Sequence, residues 1–98
     1  MTRPEIAERW KRHLTRKFPR EYAGAEVAGI CVTSADTFLA GCVSYFVNSG
    51  ALDPQRLDVV HRTCHDLEIA LPHLTSEARE YFEELLLLGR AVAAHATH

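Results

Sequence analysis

The chain has 98 residues, 47% of them hydrophobic and 24% charged, with a net charge of −2. That length holds one domain, expected to run 1–98, and such a chain buries about two thirds of the surface it exposes when unfolded. The composition excludes a disordered or collagen-like polymer, and the balanced charge argues against a surface built as a whole for a polyanion.

The first predicted helix covers 3–18. Thr2-Arg3-Pro4-Glu5 reads as a capping box, with Thr2 as N-cap, Glu5 at N3 and the proline in the tolerant first turn. Ile6, Trp10, Leu14 and Phe18 recur at i+4 as one apolar stripe. Pro19 ends it, because the residue before a proline avoids the α region. Residues 19–33 are expected to be irregular, with room for one short helix, since Gly24 and Gly29 disfavour a continuous one.

A second helix is predicted over 34–49, opened by Thr33 or Ser34 with Asp36 near its positive end. Between Phe38 and Val47 only Ser44 is clearly polar, so this helix is expected to be the central element, with Gly41 admitting a close neighbour. Gly50 is the natural left-handed residue after its end. Asp53-Pro54 starts a third helix over 54–71, whose inner face is Leu57, Val60, Cys64, Leu67 and Leu71. A fourth spans 76–94, with Ala78, Tyr81, Phe82, Leu85 and Val92 inward, and Leu86 and Leu87 widening that face. The fold class is therefore an all-α bundle of four main helices joined by short connections.

Charge is unevenly distributed along the chain. Residues 1–20 carry a balance of +5 and residues 21–98 a balance of −7. Arg9, Arg12 and Arg16 share one side of the first helix over about 10 Å, enough for a few salt-sensitive phosphate contacts. No aromatic is interleaved to stack bases, so nucleic-acid binding by this helix is the alternative reading, and docking on the chain's own acidic body the simpler one. Glu80, Glu83, Glu84 and Leu87 lie together on the outer face of the last helix and are the expected partner-binding residues. Tyr22, Tyr45 and Tyr81 are the aromatics available to such an interface.

His61 and His65 at i, i+4 are a weak metal candidate. Cys64 points away from them along the core line, and the His95/His98 pair is weaker still. No cofactor is expected: the chain lacks both GxGxxG and GxxxxGK[ST]. No GxSxG elbow occurs, the carboxylates sit on exposed faces, and each serine is explained by a cap, a terminus or the central helix, so no enzyme is expected. Cys31, Cys42 and Cys64 lie in apolar surroundings and read as buried, inert thiols of a cytoplasmic protein. Met1 to Arg20 lacks the apolar core of a signal peptide, which points to the same compartment. The expected function is non-enzymatic protein–protein binding, as a regulator, adaptor or inhibitor of the immunity-protein kind by fold-level analogy. A homodimer and a monomer are equally compatible with the sequence.

Overall fold

Local chemistry sets the first helix, α1, at Arg3–His13. The Thr2 hydroxyl accepts the Glu5 N–H at 3.2 Å, and the Glu5 carboxylate accepts the Thr2 N–H at 3.0 Å. The backbone and hydroxyl of Thr2 hold the Glu5 carboxyl below its ordinary value. The computed structural model, which describes residues 1–96, ends this helix five residues before the expected position 18. Leu14 caps it and is 63% exposed, and the Thr15 hydroxyl donates to the Arg12 carbonyl at 2.7 Å, in competition with further helix. The expected i+4 stripe is thus cut after Trp10, and buried His13 takes the place assigned to Leu14. Phe18 still reaches the core, from outside the helix, edge-on to Tyr81 and Phe82.

Residues 19–33 are more ordered than expected. A single 3-10 turn, Arg20–Tyr22, follows Pro19. Strands β1 (Glu26–Val27) and β2 (Ile30–Cys31) then pair antiparallel. Their link, Ala28-Gly29, has φ of 51° and 81°, the double left-handed conformation of a two-residue hairpin turn. Glycine is the expected second residue; alanine in the first place is uncommon, and it hides the hairpin from a search for Asn-Gly or Asp-Gly.

Helix α2 spans Val32–Ser49 and starts without a side-chain cap. Its expected capping groups serve tertiary contacts instead: the Thr33 hydroxyl accepts the Gly24 N–H at 2.9 Å, and Asp36 accepts the Tyr81 hydroxyl at 2.6 Å. Gly50, at φ 83°, terminates it as expected. Helix α3, Pro54–Ala70, is capped by Asp53, which accepts the Arg56 N–H at 2.8 Å, a cap worth about 1 kcal/mol. After a 3-10 turn at Leu71–His73, helix α4 runs Ser76–Ala96.

Helices α2 and α4 share the centre: each packs on the other three helices, and α4 buries Ala78, Tyr81, Phe82, Leu85, Leu86, Leu88, Gly89, Val92 and Ala93. The leucine run therefore closes the chain's own core, leaving Leu87 outside at 43% exposure. The close crossing falls at Gly89, where an added Cβ would lie 2.8 Å from Leu39 and 2.9 Å from Cys64, whereas at Gly41 it would meet nothing. Helix α2 keeps an open flank on which Phe38 and Tyr45 are exposed. Of the cysteines, Cys42 and Cys64 are buried as expected, but Cys31 is exposed. Among the described residues no helix is long and apolar enough to cross a membrane.

Candidate protein-interaction groove

Positions 80, 83, 84 and 87 follow the i, i+3, i+4, i+7 spacing of one helical face. Because α1 lies along α4, that face meets the basic side of α1. Arg9 and Arg16 form one bank and Glu80, Glu83, Glu84 and Leu87 the other, around a groove of about 300 Å³. An adjoining hollow of about 260 Å³ shares Arg16 and Glu80 and adds Lys17, Glu21 and Glu77. The two patches distinguished in the sequence, one acidic and one basic, are thus two walls of one feature. Arg12 is exposed but lines neither hollow, so the basic trio is split, and two of its members face carboxylates that would repel a phosphate backbone.

Beneath the groove is a buried residue that the sequence did not single out. His13 is 3% exposed, with its ring centroid 4.7 Å from that of Tyr81 and 5.8 Å from that of Trp10. Its Nδ1 lies 2.7 Å from the Glu84 carboxylate, while Nε2 is buried without a partner. Arg16 approaches the same carboxylate at 3.8 Å. Glu84 is therefore fixed from two sides, whereas Glu80 and Glu83 form no ion pair among the described residues. Tyr81 is buried, so of the three tyrosines considered for an interface it is unavailable; its phenol is pushed well above the ordinary value by burial and by the Asp36 hydrogen bond. The one sequence signal for His13 was its place three residues after Trp10, obscured by the surrounding Lys-Arg-His run.

His61 and His65 are exposed on α3 and line a different, larger groove of about 560 Å³ with Phe38, Val59, Thr63 and Asp66. Among the described residues no group of three or more His, Cys, Asp or Glu side chains is placed to hold a metal ion. Cys64 lies on the core line as the helical wheel requires, and burial pushes its thiol up to about 11. His98 lies outside the described residues; His95 places Nε2 2.6 Å from the Met1 carbonyl.

Cys31, which is exposed, corrects the expectation of three buried, inert thiols. It precedes α2, and hydrogen bonding from the Ser34 hydroxyl at 3.3 Å, helped by the Ser34 and Thr33 backbone, lowers its pKa. The signal in the sequence was positional: Cys31-Val-Thr-Ser places a cysteine where a cap residue stands.

No protein-family model, curated protein or solved structure matches this chain.

Proposed function

We propose that the chain is a non-catalytic protein-binding module whose recognition surface is the α1–α4 groove, centred on Glu80, Glu83, Glu84 and Leu87. The observation that carries this reading is an exposed leucine set among carboxylates, two of which, Glu80 and Glu83, form no ion pair among the described residues. The complementary partner is a basic protein segment that presents an apolar side chain to Leu87. The unpaired acids steer encounter, and the desolvated leucine contact lengthens residence. Both walls are helices, and His13 and Arg16 hold Glu84 in place, so little side-chain freedom is lost on binding at that position. Three free cysteines support a reducing, cytoplasmic setting in which the module acts as a regulator, adaptor or inhibitor.

The test compares the wild-type chain with a Glu83→Lys/Leu87→Asp variant as immobilised bait in a native extract. Proteins held by the first and lost from the second are then purified and measured directly. The expected result is a basic partner bound at least about tenfold more weakly by the variant, a difference of about 1.4 kcal/mol. Retention of DNA rather than protein, abolished when Arg9, Arg12 and Arg16 are changed to glutamate, would replace this reading with the nucleic-acid one.

A further inference from the structure

The two hollows along the α1–α4 seam share Arg16 and Glu80 and so form one trough. Its α4 bank runs from Glu77 through Glu80 and Glu83 to Leu87, about 15 Å of helix. The opposite bank is basic, with Arg9 in one hollow, Lys17 in the other and Arg16 in both; Glu21 stands beside Lys17, so the basic charge is least diluted at Arg9 and Arg16. Across the seam only Glu84 is held, by His13 and Arg16. Among the described residues Arg9, Glu77, Glu80 and Glu83 form no ion pair. Two rows of uncompensated charge, opposite in sign, therefore run side by side.

We propose, on the basis of the α1–α4 reading above, that the occupant of this trough is an amphipathic helix of the partner with two edges of opposite charge. Lysine or arginine faces α4, carboxylates face α1, and one apolar side chain between them meets Leu87. Packed helices lie about 8–10 Å apart, close to the Debye length of about 8 Å at physiological ionic strength. An occupant over the seam thus interacts with both banks at once. A segment basic on every side meets Arg9 and Arg16 as like charges, and a polyanion meets the glutamates.

A helix satisfies both banks because its flanks point different ways: a central stripe is bordered by two separate rows, as beside a coiled-coil seam. An extended strand sends alternate side chains to opposite faces and presents a single row to the trough. The i, i+3, i+7 spacing of Glu80, Glu83 and Leu87 also matches the side-chain rows of a helix laid alongside. Turning such a helix end for end exchanges its edges, so the charge pattern sets the direction in which the occupant lies.

The test titrates three alanine-based peptides of about 18 residues, long enough to be helical, each with a central leucine and a fluorescent label, with the full chain. One carries lysines and glutamates segregated to opposite edges. The second has the same composition with both charges mixed on each edge, and the third has lysine at every charged position. The segregated peptide is expected to bind at least about tenfold more tightly than the mixed one. Arg9→Glu should weaken the segregated peptide at least about threefold and tighten the all-lysine peptide, whereas Glu83→Lys weakens both. Both positions are exposed, and circular dichroism checks that each variant keeps its helix content. A segregated peptide that fails to bind, binds no better than the mixed one or is indifferent to Arg9→Glu overturns the inference. An all-lysine peptide that binds tightest and is weakened by Glu83→Lys also overturns it, while leaving the broader reading of the groove in place. That broader reading falls separately, if partner capture from extract does not depend on Glu83 and Leu87.

Discussion

His13 and Glu84, 71 positions apart in sequence, meet at 2.7 Å across the α1–α4 seam. The imidazole is clamped by Trp10 and Tyr81, and Glu84 forms part of the groove wall. One buried ring thus ties the packing of α1 to the orientation of a candidate binding carboxylate. Nδ1 faces the carboxylate, while the buried Nε2 has no hydrogen-bond partner among the described residues, a cost of about 1–3 kcal/mol.

Truncating that ring removes packing and hydrogen bond together. His13→Ala is expected to destabilise the chain by about 2–4 kcal/mol, and Glu84→Gln, which keeps an acceptor in place, by only about 0.5–1.5 kcal/mol. Urea unfolding measures both. Equal losses in the two variants would mean that the aromatic clamp contributes little.

Two mid-helix glycines should respond oppositely to the same change. Gly89→Ala places a methyl 2.8 Å from Leu39 and 2.9 Å from Cys64, both buried, and costs about 1–3 kcal/mol despite better helix propensity. Gly41→Ala enters open space and stabilises by up to about 1 kcal/mol. Thermal melts of the two variants should move in opposite directions.

The four helices were legible because their start and stop signals are local: the Thr2–Glu5 capping box, Asp53-Pro54 and Gly50 all act within a turn. What could not be read locally was that α2 and α4 share the middle. The close approach there falls at Gly89, beside Leu39 and Cys64, both distant in sequence. The end of α1 failed for a related reason. The i+4 count continued through Leu14, while a hydroxyl of Thr15 and the buried His13 turned the chain out. Glu80, Glu83, Glu84 and Leu87 were found by helical spacing, and the structure places Arg9 and Arg16 opposite them. Periodicity on one helix carries no information about its neighbour, so the joining of the two walls lay beyond it.

The three thiols should separate by reactivity. Cys31 is exposed with its pKa lowered by Ser34, whereas burial raises both Cys42 and Cys64. Near neutral pH one thiol per chain is expected to react quickly with a small alkylating reagent, and the other two only on unfolding. Ser34→Ala should slow the fast reaction and shift its pH midpoint upward. Peptide mapping identifies the modified residue, and labelling of all three at one rate would contradict the assignment.

Tyr81 and Asp36 make the last case, in alkali. The phenol donates to the carboxylate at 2.6 Å, and burial, then that hydrogen bond, raises its pKa in the folded state. The unfolded chain releases this proton near pH 10, before the folded one does. The stabilisation is therefore complete below about pH 10 and is lost progressively as pH rises above it. Tyr81→Phe should be less stable than wild type by about 1.5–3 kcal/mol at neutral pH, the range for a hydrogen bond to a charged group. The gap should narrow in urea titrations between about pH 10 and about pH 11, since the phenylalanine chain has no proton to lose there. A gap that stayed constant through that interval would show that burial and the Asp36 hydrogen bond do not raise the phenol's pKa in the folded chain.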